Sequence, residues 1–131
     1  MEYRIIEGAE QMKVCEVERL LKMTYWANKR STETIEKSMR NSACFGIRSE
    51  EDQKLIGFAR VISDYATTWY LCDVIIDPEY REQGLGKALV SRITAQFSWQ
   101  RGLLLTRDAH GLYAHYGFAS AGDRAMTRSP G

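Results

Sequence analysis

The sequence has few cysteines and histidines, and it contains no long apolar run. Three isolated cysteines, Cys15, Cys44 and Cys72, include no C-x-x-C pair, and an odd number cannot close a complete set of intramolecular disulfides. We therefore expect a reducing compartment and no metal site. The N-terminus is acidic where a signal peptide needs a basic flank, and no segment approaches the roughly 20 apolar residues of a membrane span. These absences predict no membrane association and a cytoplasmic location.

The sequence also has no strong excess of charge of either sign. The formal net charge is +1, whereas proteins that neutralise nucleic-acid phosphates carry a marked basic excess. We therefore expect no nucleic-acid partner. With 131 residues, no repeat and no linker, the chain fits one domain spanning residues 1–131.

The first half of the chain predicts strands and two early helices. A strand is expected at Tyr3 to Ile6, followed by an amphipathic helix whose apolar residues recur from Val14 to Tyr25. A second helix should begin at Ser31, whose hydroxyl can cap free backbone amides. Ala43 to Arg48 and Leu55 to Ile62 then read as two antiparallel strands joined by a polar turn.

The second half predicts a strand, a glycine loop, a helix, a strand and a helix. The segment from Trp69 to Ile76 is nearly all apolar, which is typical of a strand buried on both faces, and Asp77-Pro78 ends it. Apolar residues spaced four apart from Leu85 to Phe97 predict a helix that starts inside the loop. Leu103 to Leu105 should form a short buried strand, and Asp108 should cap a last helix that Gly117 stops.

The loop from Arg81 to Lys87 has the chemistry of a phosphate-binding loop. A loop entering a helix presents unpaired amides at the positive end of the helix dipole, and Gly84 and Gly86 allow close approach. The spacing fits neither G-x-x-x-x-G-K-S/T nor the dinucleotide fingerprint G-x-G-x-x-G. Taken alone, it could also be a helix start whose glycines only turn the chain.

Two motifs in order resemble the GNAT superfamily of acetyl-CoA-dependent N-acetyltransferases. Val74 to Leu89 resembles the first motif of that family, which is a strand followed by the pattern R/Q-x-x-G-x-G/A. Ala109 to Phe118 resembles its A-x-x-L-Y-x-x-x-G-F segment. The resemblance implies an α+β fold of three layers, with a mostly antiparallel sheet splayed at its central strand and flanked by helices.

The resemblance also implies how acetyl-CoA, the expected cosubstrate, is bound. The pantetheine arm would lie beside the central strand, and the loop amides would hold the pyrophosphate. The family often has glycine where Glu82 stands and asparagine where Thr106 stands, and its final hairpin would be abbreviated here. The cofactor-binding residues expected on this basis are Val74, Ile75, Ile76, Arg81, Glu82, Gln83, Gly84, Leu85, Gly86, Lys87 and Thr106.

Acetyl transfer needs a polarised carbonyl, a proton for the departing sulfur and a neutral amine. By resemblance Tyr113 is the acid, and a strand distortion near Val74 or Ile75 would free an amide for the carbonyl. Because no carboxylate lies between Arg101 and Leu105, Asp73 is our candidate base, with a pKa raised by burial. The alternative for Asp73 is an ion pair with Arg60.

The expected acceptor is a primary amine on a small molecule or a peptide. By resemblance, the early helices and the loop before the central strand recognise it, and we assign Trp26, Tyr65 and Arg60 to this role. Arg30 and Asp64 have the same character, as do Tyr25 and Trp69, for which the alternative is core packing. The alternative function is an acyl-CoA-binding module without turnover, which Glu82 and Thr106 would allow. The sequence leaves open whether the chain forms a homodimer.

Overall fold

The computed structural model describes residues 1–131 and consists of one five-stranded sheet and four helices. Short 3-10 turns connect several of these elements. None of the helices has the length and apolar character that crossing a membrane requires. In chain order the elements are β1 (Tyr3–Glu7), α1 (Val14–Leu21), α2 (Thr32–Arg40), β2 (Ala43–Ser49), β3 (Leu55–Ser63), β4 (Thr68–Ile76), α3 (Leu85–Gln96), β5 (Arg101–Leu104) and α4 (His110–Ala114).

The sheet has the strand order β1-β2-β3-β4-β5, and only its last pair is parallel. Thr68 to Leu71 of β4 pair with Arg101 to Leu104 of β5, and the ladder then ends. Beyond Leu71 the second half of β4 has no partner on that side. The sheet is therefore splayed at β4, as expected.

Two hydrophobic clusters place helices on both faces of the sheet. On one face α1 and α2 pack against the sheet, with Leu20 and Ile35 meeting Phe58 in the same cluster. On the other face Leu89 and the rest of the α3 stripe join a cluster that contains Trp69. This arrangement confirms the three-layer α+β fold.

The first helix is shorter than the sequence predicts. It ends at Leu21, because the hydroxyl of Thr24 donates to the Leu21 carbonyl and accepts from the amide of Ala27, which turns the chain. Tyr25 is consequently 57% exposed, so the alternative that it is a core residue is wrong. Ser31, by contrast, caps α2 as expected, accepting from the Thr34 amide at 3.1 Å.

The prediction of a strand buried on both faces is wrong for β4. Its residues alternate between buried and half-buried, because one face borders a cavity. β5 was also expected to be buried, yet Leu103 and Leu105 are 51% and 61% exposed. The reason is topological, since β5 is the edge of the sheet and no strand follows it.

Asp108 does not cap the last helix. The side chain that bonds at the start of α4 is Thr106, whose Oγ1 accepts from the Ala109 amide at 3.0 Å. Gly117 has a φ of +92°, a left-handed conformation that favours glycine, and the chain leaves the helix before it, as predicted.

Candidate active site

The central strand carries a β-bulge where the sheet splays. Phe58 pairs with Ile75 and Arg60 with Cys72, so two residues of β4, Asp73 and Val74, lie opposite one residue of β3. Asp73 has a φ of +54°, which is uncommon for a residue with a side chain. The strand distortion expected near Val74 is therefore present.

The carboxylate of Asp73 binds three side chains that come from two other elements. Its Oδ2 accepts from Arg60 Nε at 2.6 Å and from Arg30 Nη1 at 2.7 Å, and its Oδ1 accepts from Trp26 Nε1 at 3.1 Å. Arg60 lies on β3, whereas Trp26 and Arg30 lie in the link between α1 and α2. The carboxylate thus fastens this link to the bulge.

This environment keeps Asp73 ionised. Burial alone would raise its pKa, but the hydrogen bonds and charges of Arg30 and Arg60 outweigh burial and lower the pKa. The expected raised pKa is therefore wrong, and the ion pair with Arg60 that we gave as the alternative is present. The role of Asp73 as a general base stays a prediction.

A cavity of about 680 Å³ lies at the splay, within the size range of small-ligand sites. Its walls come from both faces of the sheet. On one side they are formed by Tyr25, Trp26, Arg30, Arg60 and Ile62. The floor along β4 consists of Tyr70, Leu71, Cys72, Asp73 and Val74. The opposite side is formed by residues 104–109 and Tyr113.

Tyr113 is suited to donate a proton in this cavity. It lies on α4 and is only 9% exposed. Burial, reinforced by the nearby charge of Asp108, raises the pKa of its hydroxyl above the ordinary value. The hydroxyl is therefore protonated at neutral pH, which the assigned role as an acid requires.

The glycine loop presents a row of backbone amides with no carbonyl partner. The Arg81 amide bonds to Pro78 at 3.5 Å and the Ala88 amide to Gly84 at 3.0 Å, while the amides of Glu82 to Lys87 between them donate to no backbone carbonyl. The buried side chain of Leu85 packs into the core below this row. The loop can therefore offer several donors to one anion at a helix N-terminus.

The space beside the two glycines of the loop is open. A Cβ at Gly84 would meet nothing within 4 Å, and one at Gly86 would meet only Ile76 at 3.8 Å. Packing therefore does not require glycine at position 84, but its φ of +78° favours it. Glu82 has a φ of +65°, which costs about 1 kcal/mol for a residue other than glycine, and its side chain is exposed.

The other expected cofactor residues surround the loop and the bulge. Arg81, Gln83 and Lys87 are exposed, and Ile75 is buried in the cluster under α1 and α2, which leaves only its backbone for a ligand. The Tyr116 hydroxyl donates to the Lys87 carbonyl at 3.1 Å. This bond joins the second motif to the first turn of α3.

Tyr65 is the one assigned acceptor residue that the structure does not bring to the cavity. It is 60% exposed and lies near Phe97, with 6.1 Å between the ring centroids. The loop before β4 is at the paired end of that strand, whereas the cavity opens at the splayed end. Asp64 in the same loop accepts from the amides of Ala66, Thr67 and Thr68, a turn-stabilising role.

The remaining candidates have structural or solvent-facing positions. Trp69 is 4% exposed and stacks on Phe97, so its core role is confirmed. The two histidines of the chain, His110 and His115, are exposed, and the structure groups no three potential metal ligands.

Sequence reasoning missed several residues that line the cavity. Tyr70 and Cys72 could have been found, since they share a face of the strand with Val74 by the period of two. Arg107 could not, because it lies in irregular chain with no periodic signal. Its guanidinium lies 4.4 Å from the centre of the Tyr25 ring, which connects the two walls across the cavity.

The splayed sheet, the bulged central strand and the loop of unpartnered amides are the features that the resemblance to an acyltransferase fold implies, and comparison with known proteins agrees. The family model for the acetyltransferase (GNAT) domain matches residues 41–120. A crystal structure of a GNAT-family protein from Xanthomonas campestris pv. campestris has a TM-score of 0.90 and 34% identity, covering 99% of this chain and 94% of that one. The chain therefore belongs to the GNAT superfamily of acetyltransferases.

Curated relatives match shorter segments. GCN5-related N-acetyltransferase 2, chloroplastic, of Arabidopsis thaliana is 52% identical over 44 residues, which are 34% of this chain and 17% of that protein. Histone acetyltransferase TAP1 of Glycine max is 46% identical over 48 residues, which are 37% of this chain and 21% of that protein. The chain thus spans about a fifth of the length of these relatives.

Proposed function

We propose that this acetyltransferase moves the acetyl group of acetyl-CoA to a primary amine of a small molecule or peptide by direct attack. The observation that carries the proposal is the cavity at the splay. It borders the bulge and Tyr113 on one side and Trp26, Arg30 and Arg60 on the other. One cavity thus adjoins both an acid that could protonate the departing sulfur and a wall that could bind the acceptor amine.

Acetyl-CoA is the cosubstrate of this family and supplies the reactive thioester. The unpartnered amides of Glu82 to Lys87 would hold its pyrophosphate, with Arg81 and Lys87 contributing positive charge. The backbone from Val74 to Ile76 would bind the pantetheine arm, and Thr106, which lines the cavity, would border the inner end of that arm. Glu82 would keep its carboxylate in solvent.

The transfer itself needs little from the protein beyond placement and one proton. As the amine nitrogen bonds to the carbonyl carbon and the carbon–sulfur bond breaks, an amide at the bulge near Val74 would stabilise charge on the carbonyl oxygen. Tyr113 would give its proton to the sulfur and regain one from solvent. The surplus proton of the amine would leave to solvent, since Asp73 already holds three donors.

A titration with acetyl-CoA tests cofactor binding. At about 100 times its dissociation constant, acetyl-CoA should stabilise the fold by about 2.7 kcal/mol, visible as a higher melting temperature. ATP and NAD serve as controls and should give smaller shifts. A shift with ATP or NAD but none with saturating acetyl-CoA would overturn the proposal.

A further inference from the structure

Two arginines share a single carboxylate oxygen on the acceptor side of the cavity. Arg30 and Arg60 both bind Oδ2 of Asp73, at 2.7 and 2.6 Å. Their side chains are 28% and 13% exposed and that of Asp73 only 3%. Two positive charges therefore face one negative charge where little water can screen them, and a net positive charge is left over.

No carboxylate other than Asp73 forms an ion pair with Arg30 or Arg60. Besides Asp73, the only carboxylate that lines the cavity is Asp108, and Arg107 lines the same side. Arg60 Nη1 donates to the neutral hydroxyl of Ser42 at 3.2 Å. Nε and Nη2 of Arg30 and Nη2 of Arg60 donate to no group of the protein, yet none of these nitrogens is sealed from solvent. The cavity therefore offers unused guanidinium donors.

We propose that the acceptor carries an anionic group, a carboxylate or a phosphate, that binds these donors of Arg30 and Arg60. Guanidinium groups suit both anions, because their N–H groups match two oxygens at once. Trp26 and Tyr70 line the same part of the cavity and would contact the carbon skeleton beside the anion. The glycine loop is not part of this wall, so the cofactor's phosphates have a separate site. The inference rests on the proposed function, which it narrows to amines that also carry an anion.

Binding of simple anions tests the site without any turnover. Benzoate, phenyl phosphate and neutral benzamide are added at constant ionic strength, and the melting temperature is followed. At least one anion should raise it, and benzamide should not; comparing benzoate with phenyl phosphate identifies the preferred anion. Equal shifts with benzamide, or no shift with either anion, would overturn the inference.

Matched variants show whether the anion-induced rise in melting temperature depends on Arg30. Arg30→Gln should lose the anion-induced shift, and it leaves Asp73 bonded to Arg60 and Trp26, which favours folding. Lys29→Gln removes a charge from the same link outside the cavity and should keep the shift. If Arg30→Gln does not fold, Arg30→Lys is used instead. It keeps the positive charge but loses the paired N–H donors of the guanidinium group, and should weaken anion binding about tenfold. An anion shift unchanged in the folded Arg30 variant would refute the site.

Turnover separates this inference from the proposed function. Primary amines are compared in pairs, such as 4-aminobutanoate with 4-aminobutanamide and phosphoethanolamine with ethanolamine. The charged member should have a kcat/KM about 10- to 100-fold higher, the range of a hydrogen bond to a charged group, and Arg30→Gln should remove the difference. Equal use of both members would refute the anion site and leave amine acetylation standing. Anion-induced stabilisation without acetylation of any amine would support the anion site and refute amine acetylation.

Discussion

Two ionisable side chains face one cavity, and their surroundings stabilise opposite charge states. Burial keeps Tyr113 neutral, whereas two arginines keep Asp73 charged. A neutral tyrosine can give a proton, and a carboxylate held by three donors is a poor acceptor for one. We infer that Tyr113 acts on the reacting atoms and that Asp73 positions the bulge and the link between α1 and α2.

Replacing Tyr113 with phenylalanine keeps the ring and removes the proton. We expect kcat to fall about 100- to 10,000-fold, the usual range for a general acid, while acetyl-CoA affinity stays nearly constant. Steady-state rates and the acetyl-CoA-induced melting shift measure the two quantities. Tyr116→Phe is the matched control, because it removes a tyrosine hydroxyl that bonds to the Lys87 carbonyl and does not line the cavity. Its kcat should stay close to that of the wild type. Unchanged turnover in Tyr113→Phe would make Tyr113 a packing residue.

Asp73→Asn separates positioning from base catalysis. Losing the carboxylate leaves Arg30 and Arg60 close together without their anion, so the free energy of unfolding at neutral pH should drop by about 3 kcal/mol. Because the folded pKa of Asp73 is lowered, the wild type should lose this contribution only in acid, from about its ordinary pKa of 3.8 downwards. Denaturation at pH 7 and pH 3 checks both statements.

The pH dependence of kcat/KM completes this test. If Asp73 only positions other groups, the folded Asp73→Asn enzyme should keep the shape of the wild-type profile. Disappearance of the acidic limb in the variant would instead identify Asp73 as the base that the sequence suggested.

The role of the glycine loop could be predicted from a short segment, because its chemistry belongs mainly to the backbone, and that role stays a prediction. Gly84→Asp would place a carboxylate among the amides proposed to bind the pyrophosphate, so the acetyl-CoA-induced melting shift should vanish. The fold should lose only about 1 kcal/mol, since φ is +78° and the added atoms meet open space. Gly122→Asp is matched in both respects, with a φ of +60° and no atom within 4 Å, and should keep the shift.

The errors in predicting other elements each have a local or topological cause. The end of α1 depends on Thr24, whose bonds to Leu21 and Ala27 no apolar period reveals. Leu103 and Leu105 have the apolar character of buried residues, but exposure depends on whether another strand covers β5. The periodicity of apolar residues and the turn residues therefore predicted that the helices and strands exist. Tertiary contacts determined where these elements end and how far they are buried.

The site as a whole exists only when all three layers are assembled. The two motifs could be placed from sequence because each lies within a short segment. The acceptor wall could be predicted only in part. Trp26 and Arg60 were assigned to it by resemblance, but the meeting of Trp26 and Arg30 with Asp73 was not foreseen, because those contacts span 47 and 43 residues of chain. Such pairings leave no local signal, and only the sheet order and the bulge bring them together.

Acetyl transfer by the assembled molecule is tested most directly by measuring both products of one reaction. The protein is incubated with acetyl-CoA and the paired amines, and released thiol and acetylated amine are quantified by thiol titration and mass spectrometry. We predict equal amounts of coenzyme A and acetylated amine, formed much faster than with Tyr113→Phe. Binding of acetyl-CoA with no acetylated amine from any member of the panel would contradict the account and leave a module that binds without turnover.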